Sequence, residues 1–562
     1  MAKRKAEPKK PPTEKTSSTP ASEVRVRMYR HGLGDCFLLS FPRTGKKPAG
    51  PPVPFTILID CGIIPGTPDG EKKLKEVVDH LKETTDGKID VLVATHEHAD
   101  HVSGFDPKKK WFDDFEFGEV WLAWTEDPDD KVAVGIRAER QKKLAALWLG
   151  FSQLHERLKA LGADKESRED VDRAYEVLSF FGIEPGETPP TGGFGAAAEA
   201  LRVGSTAQAM AWVRTSAKAR HKPRFWKPGD SQALAEVEGT RVYVLGPPQD
   251  LAQLHKDLPS SGKSHAVETY EEEELEEEKE KSEKRRKTKP AFSNSPDAAE
   301  RAFFGPAFGA DAGSSDSDQY REGLPFDHKY RIEWERAPKV AFFEDHYFGG
   351  DFEHEWRRID ADWADGSASF ALQLDGDTNN TSLALAFELP GGHVLLFPGD
   401  AQVGNWESWH ADSTGKALVF KDEATGRKVT AESLLNRVVL YKVGHHGSHN
   451  ATLRDKGLEL MIRSELSALV PVDAYVAHVK KRWTKMPFNP LMQRLLEKVR
   501  EGQVVLADTR VGKARARAGV EGLPARFEDA EAMFSMTFEV EGQDEKVERP
   551  LFVDYVLELE LG

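Results

Sequence analysis

The segment His96-Glu97-His98-Ala99-Asp100-His101 places four metal-competent side chains within six residues, directly after the apolar run Val91-Leu92-Val93-Ala94. Imidazole nitrogens and carboxylate oxygens at this spacing suit zinc, manganese or iron, and a strand end gives such ligands a rigid base with an open side. A polar surface loop accounts for one or two histidines, whereas four ligand-type residues in this order favour a metal site. Two further apolar runs end in the same way. Val394 to Phe397 leads through Pro398-Gly399 to Asp400, and Leu440 to Val443 leads through Gly444 to His445-His446-Gly447-Ser448. Asp400 alone reads as a turn residue after glycine; its place between the two histidine motifs makes it a candidate ligand.

Strands and helices must carry these loops to one place. Val24 to Phe41 and Phe55 to Cys61 read as two strands, Glu71 to Leu81 has helical spacing, and Ile89 to Ala94 is a buried strand. The order strand, helix, strand, histidine-rich loop is an α/β pattern. Glu119 to Trp124 is a further strand, followed by helical periodicity over Ala138 to Leu161 and Arg168 to Phe181, within an inserted helical region of about 130–225. Thr240 to Leu245 returns to a strand. Glu271 to Lys289 is a block of acids followed by a block of bases with almost nothing to bury, so it reads as a disordered loop or an exposed helix inside an irregular insertion of about 259–340. Ser367 to Leu374, Ser382 to Leu389, His393 to Phe397, Val438 to Val443 and Gln503 to Ala507 read as strands, and Pro490 to Arg500 as a helix. The chain carries no repeat at a solenoid period.

Composition narrows the function classes. A chain of 562 residues allows one elaborated domain or two to three smaller ones. It has no apolar stretch of the ~18 residues that a membrane span needs. Residues 1–22, rich in Lys, Pro, Ser and Thr, read as a disordered basic arm without the apolar core of a secretory signal, and the expected residence is cytoplasmic. The two cysteines, Cys36 and Cys61, lie in apolar runs and are expected to pack in the core. A formal net charge of −16 opposes broad binding to polyanions, because that binding depends on Lys and Arg displacing phosphate counterions. His346 and His354, in an acidic segment, read as surface residues. Trp356, Trp363, Trp406 and Trp409 read as core or rim packing before cleft walls.

The ordered set Asp60, His96-x-His98-x-Asp100-His101, Gly399-Asp400 and His445-His446-Gly447-Ser448 resembles the metallo-β-lactamase superfamily. Within it, His31-Gly-Leu-Gly-Asp35, Asn379-Asn380-Thr381-Ser382 and the His-His-Gly-Ser loop are similar to the hydrolase domain of the competence protein ComEC and its soluble relatives. The matching segments run from about Val24 to Asp508, outside the insertions, and place one such domain over 23–562. The resemblance implies an α/β fold of the αββα sandwich type, two mixed sheets with helices outside. It implies two divalent metal ions, zinc first and manganese or iron as alternatives. His96 and His98 would bind one metal, Asp100, His101 and one of His445 or His446 the other, with Asp400 bridging and Asp60 orienting a ligand histidine. Where members of the superfamily supply a third histidine to the first metal, this chain reads Leu374-Asp375-Gly376-Asp377, with Asp377 as the substitute.

Two dications about 3.5 to 4 Å apart lower the pKa of a shared water from about 15.7 toward about 7, so hydrolysis needs no protein nucleophile. The candidate catalytic groups are Asp100, Asp400 and His446, with Asp100 and Asp400 passing protons and His446, Ser448, Asn379 or Asn380 donating to developing negative charge. The expected function is metal-dependent hydrolysis of a phosphodiester, in a nucleotide or nucleic acid. The alternatives are hydrolysis of a small ester, thioester or lactam, and a non-catalytic scaffold that binds a protein partner through the insertions. For a polymeric substrate, Lys3 to Lys10 and Lys284 to Lys289 are the candidate basic helpers.

Overall fold

Val91 and Val93 alternate with Leu92 and Ala94 between two different core clusters, so the strand that delivers the histidine motif is buried on both faces. This explains its unbroken apolar run. The computed structural model describes residues 23–43, 53–160, 176–184, 187–202, 204–215, 219–256, 336, 339–341, 360–421, 426–483, 485–509, 525–540 and 543–559. The basic arm 1–22, the charged run Glu271 to Lys289, His346, His354 and Trp356 lie outside the described residues, as does the side chain of Trp363.

Two large mixed sheets form from fifteen strands. In chain order these are β1 (Glu23–Tyr29), β2 (Phe37–Phe41), β3 (Phe55–Ile59), β4 (Lys88–Ala94), β5 (Glu116–Ala123), β6 (Arg224–Trp226), β7 (Ser231–Ala233), β8 (Arg241–Gly246), β9 (Ala384–Glu388), β10 (Val394–Phe397), β11 (Val438–Lys442), β12 (Ser467–Val470), β13 (Val504–Leu506), β14 (Ala525–Asp529) and β15 (Phe552–Glu558). The first sheet has the order β14-β15-β1-β2-β3-β4-β5-β6 and the second β13-β12-β11-β10-β9-β8-β7. Strands β3 to β6 run parallel, as do β10 to β13, while the rest of each sheet is antiparallel. The four loops that matter leave the C-terminal ends of parallel strands: Asp60 after β3, His96 to His101 after β4, Asp400 after β10, and His445-His446 after β11. Open α/β sheets bind ligands at such ends.

One core cluster takes residues from both sheets, with Phe37 against Phe397 at 5.6 Å and Phe41 against Phe387 at 6.1 Å between ring centroids. On the other side of the first sheet, helix α1 (Gly70–Thr85) buries Leu74, Val77, Val78 and Leu81 against Leu58 and Leu92. These positions repeat at i, i+3, i+4 and i+7, the stripe of an amphipathic helix. On the far side of the second sheet, Leu396, Tyr441 and Ala468 share a cluster with Trp406, Leu434 and Leu491. The inserted region holds helices α2 (Lys131–Ala160), α3 (Gly193–Arg202) and α4 (Ser205–Thr215), and the short 3-10 turn Leu178–Phe181. Of the helix expected over Arg168 to Phe181, residues 168–175 lie outside the described residues, and the described end is that turn.

Two expectations need correction. The run Val24 to Phe41 is two antiparallel strands separated by a loop at His31-Gly-Leu-Gly-Asp35. Ser367 to Leu374 is not a strand but part of helix α5 (Asp360–Asn379). Its alternating small and apolar residues imitate strand periodicity, yet Phe370, Ala371 and Leu374 are buried while Leu372 is 60% exposed, which is helical phase. The C-terminal strands β14 and β15 extend the first sheet beyond the expected elements, and β15 pairs along the full length of β1. Cys36 and Cys61 are buried free thiols, and Trp406 and Trp409 are core residues in ring contact at 4.1 Å. Among the described residues, no helix is long and apolar enough to cross a membrane.

Candidate metal centre

Strand β4 ends at Thr95, whose backbone N–H and hydroxyl both donate to the carboxylate of Asp60, at 2.8 and 2.7 Å. Asp60 holds a left-handed backbone, φ 56°, which costs a non-glycine residue roughly 1 kcal/mol or more and is sustained by those two bonds. The next residues fold back over Asp60-Cys61-Gly62. Gly62 must be glycine, because a Cβ there would lie 2.4 Å from the His101 nitrogen. This close approach seats the helical turn Ala99–Val102 and points Asp100 and His101 inward. Gly399, at φ 61°, makes the equivalent turn after β10 and presents Asp400.

The four residues Asp100, His101, Asp400 and His446 converge, with ligand atoms all within 4.8 Å of one another. His446 Nε2 lies 2.7 Å from Asp100 Oδ2, and His101 Nε2 lies 3.1 Å from Asp400 Oδ2 and 3.6 Å from Asp100 Oδ2. His96 and His98 stand beside this group, with His96 Nε2 3.1 Å from His98 Nδ1 and the His96 and His101 rings 4.2 Å apart. None of these six residues is more than 1% exposed.

The outer hydrogen bonds determine which nitrogen faces inward. His446 Nδ1 lies 2.6 Å from the carbonyl of Pro471, and His101 Nδ1 lies 2.8 Å from Asp60 Oδ2. Both partners only accept, so each Nδ1 carries the proton and each Nε2 is left with its lone pair toward the cluster. For His96, Nδ1 lies 3.1 Å from the Thr95 hydroxyl, whose own proton goes to Asp60, and 3.2 Å from the Ser382 hydroxyl. Its Nε2 faces His98 Nδ1. Among the described residues, Asp100 Oδ1 and His98 Nε2 are buried polar atoms with no hydrogen-bond partner, and His101 Nε2 and Asp400 Oδ2, 3.1 Å apart, have only each other. Buried polar atoms are seldom left unpaired. This donor set fits a divalent cation of the zinc, manganese or iron type.

Electrostatics point the same way. Burial opposes the charged form of His101, but the carboxylates of Asp400, Asp100, Asp35 and Asp60 outweigh it and raise its pKa well above the usual imidazole range. His446 is raised too, against burial, by its bond to Asp100. The pocket thus draws positive charge, whether a proton or a metal cation. Burial, followed by nearby positive groups, holds His96 well below its usual range, and burial pushes His98 down to about 3, so both stay neutral as metal ligands require.

Several residues of the site carry weak signals in the sequence. Lys442, the last residue of β11, is fully buried and donates to Asp400 Oδ1 at 2.9 Å and to the Gly399 carbonyl at 3.0 Å, with Asp35 Oδ2 at 2.5 Å. The His445 backbone N–H also donates to Asp400 Oδ1, at 2.8 Å. One carboxylate oxygen of Asp400 is therefore fully engaged and only Oδ2 faces the histidines. A lysine inside an otherwise apolar strand run was the available signal. Asp375 lies 3.8 Å from His98 Nε2 and 3.9 Å from His445 Nε2 and accepts from Asn379 Nδ2 at 3.0 Å. Asp377, the substitute ligand expected from the sequence, is turned away toward His255, 3.0 Å, and Lys143, 3.9 Å. Helical phase explains the exchange: residues two apart on α5 face different directions.

His445 stands outside the four-residue cluster. Its Nδ1 lies 2.8 Å from the Ser448 hydroxyl and accepts from Gln402 Nε2 at 3.2 Å, and burial pushes its pKa down to about 4. Asn380 spends its side chain on the backbone of Gln402, Asn405 and Lys256 and is a structural clip. Asn379 faces Asp375 and His445. The Ser448 hydroxyl also bonds Asn450 Oδ1 at 2.8 Å. No family model matches the chain, and no curated protein matches it.

Proposed function

We propose that the chain is a metal-dependent hydrolase of the metallo-β-lactamase fold, an αββα sandwich similar to the competence-type hydrolase domain, and that it cleaves a phosphodiester of nucleotide size. The observation that carries this reading is the convergence of buried carboxylate and imidazole groups from three strand ends in two sheets, with Asp100 Oδ1 and His98 Nε2 left unpaired among the described residues. His96 and His98 would hold one cation and Asp100, His101 and His446 a second, with Asp400 Oδ2 turned toward both sets. Divalent cations held there would lower the pKa of a bound water and shield negative charge on the scissile group.

The chain's own residues do the rest. Asp60 and Pro471 fix the tautomers of His101 and His446. Lys442 and the His445 N–H fix Asp400 so that a single oxygen faces the site. Asp100 Oδ1, buried and without a hydrogen-bond partner among the described residues, would take a proton from the attacking water and return it to the leaving oxygen. Burial excludes bulk water and strengthens each of these interactions. A net charge of −16 and the near-complete burial of the ligands favour a small substrate over long nucleic acid. Hydrolysis of a small ester, thioester or lactam is the second reading, favoured by Phe180 and Phe181, which give the site an apolar wall.

The test is hydrolysis of bis(p-nitrophenyl) phosphate alongside a thioester and a β-lactam, with elemental analysis and Asp400→Ala as control. Metal-dependent phosphodiester cleavage lost in the variant supports the first reading. Bound metal with activity only on the other substrates moves the assignment to the second. A protein with neither metal nor activity overturns both.

A further inference from the structure

Between the candidate ligands His96 and His98 stands Glu97, whose carboxylate accepts from the guanidinium of Arg140 in helix α2. Arg140 is 7% exposed and lies in phase with Leu144, Leu147, Trp148 and Phe151, buried residues of the same helix. The packing that seats α2 therefore also carries a guanidinium to the histidine loop.

The same guanidinium lies 3.9 Å from Glu126, buried in the turn after β5, and Glu126 accepts in turn from Arg214 in the last turn of α4. Arg137, one helical turn before Arg140, donates to the backbone carbonyls of Thr125 and Asp127. Glu97, Arg140, Glu126 and Arg214 thus form a row of alternating charges from the loop after β4, through α2 and the turn after β5, to α4. Strands β4 and β5 are neighbours in the first sheet, so the row ties two adjacent strand ends to the insertion. Arginine suits this place because its planar fork stays charged when buried and meets two carboxylates at once. Removing one member leaves a buried charge without its partner, a larger loss than the pair itself is worth. The row ends on the residue between two imidazoles, so a shift of Glu97 moves the backbone that carries both. Asp100 and His101 sit instead on the helical turn seated over Gly62 and are held independently.

We propose that Glu97 and Arg140 are positioning residues: the insertion holds the His96-Glu97-His98 turn from outside, and the cation assigned to His96 and His98 depends on that hold while the one assigned to Asp100, His101 and His446 does not. The dependence of the cation rests on the reading of the cluster as a metal centre; the hold on the turn does not. Contacts that orient metal ligands from outside are worth about 10–100-fold in metal affinity. The inserted helices thereby gain a role in the site itself.

The experiment compares the full chain with Arg140→Met and Glu97→Gln in two arms. Glu97→Gln leaves Arg140 beside Glu126 and guards against an Arg140→Met protein that fails to fold. The first arm is amide hydrogen exchange in EDTA, read by mass spectrometry. Exchange over residues 95–98 should be about tenfold faster or more in both variants, the factor that loss of one bond to a charged group corresponds to, with residues 440–448 unchanged. The second arm is zinc titration against the chromophoric chelator pyridylazoresorcinol. One zinc should bind about 10–100-fold more weakly in both variants and the other as before. In His98→Ala, where the zinc of Asp100, His101 and His446 remains, adding Glu97→Gln should change nothing further. Unchanged exchange over 95–98 in a folded Glu97→Gln protein overturns the proposal, and so does an equal loss of affinity for both zinc ions with faster exchange over 440–448, which is general loosening. Absence of bound zinc in the unmodified protein refutes the metal centre, while exchange in EDTA still reads whether Glu97 and Arg140 hold the turn.

Discussion

Replacing Lys442 by Met removes an ammonium that faces both Asp35 and Asp400. The lysine and both carboxylates are each at most 1% exposed, so solvent does not take over the compensation. The local sum of these three charges changes from −1 to −2 in the buried setting where breaking a pair costs about 3–5 kcal/mol. Methionine matches the lysine stem in length, so a cavity adds little to the loss. The double variant Lys442→Met/Asp35→Asn restores the local sum to −1 and should recover more than half of that loss, since directly contacting residues couple by about 0.5–3 kcal/mol. The assay is urea denaturation followed by tryptophan fluorescence, in EDTA so that no cation substitutes for the ammonium. A single variant within about 1 kcal/mol of the unmodified protein, the range of solvent-exposed pairs, refutes the argument. So does a double variant less stable than the single one.

Among the ligands, His98→Ala and Asp400→Ala should abolish turnover without unfolding the protein, and a variant that stays fully active removes its residue from the site. Elemental analysis of His446→Ala should show loss of one of about two bound cations; unchanged content would place the ligand elsewhere. Gly62→Ala forces a Cβ to within 2.4 Å of the backbone that carries His101. It should lower stability by about 1–3 kcal/mol and reduce zinc content, read by calorimetry and elemental analysis; an intact metal site would show that the loop can shift freely. His80 is half-buried beneath Tyr29 and Phe552, and burial, followed by the charge of Arg27, pushes its pKa down to about 4. Its unfolded value is about 6.5, so the unfolded chain binds the extra proton between these limits and stability falls as pH drops from about 6.5 to 4. Denaturation at pH 7 and 4.5 should show the unmodified protein losing about 2 kcal/mol more than His80→Gln, and equal losses would contradict a buried neutral imidazole.

The legible parts of this molecule are those where one strand does two jobs. Strands β4, β10 and β11 are apolar because both faces are covered, and their ends carry the candidate ligands, so a run of Val and Leu ending in His or Asp shows both element and candidate site in adjacent letters. Helix α5 defeats that method. Its end nearest the site brings Asp375 toward His98 and His445, yet its alternating small and apolar residues imitate a strand, and Asp377 is expected as the substitute ligand only from the family resemblance. Lys442 is hidden for the opposite reason: a charged residue within an apolar run looks like a strand end, and only the convergence of Asp35 and Asp400 upon it explains its burial. Phe180 and Trp483 are further out of reach, because some 300 residues separate two rings whose types alone indicate only packing. Local periodicity therefore encodes where the ligands sit, whereas what orients and covers them depends on contacts between segments that have no local signature. This difference predicts where change is best tolerated: the candidate ligands come from three strand ends and meet at one point, so changing any one should disrupt the cluster, while Phe180 and Phe181 touch it only through ring contacts with His98 and His445 and should accept exchange for other apolar side chains.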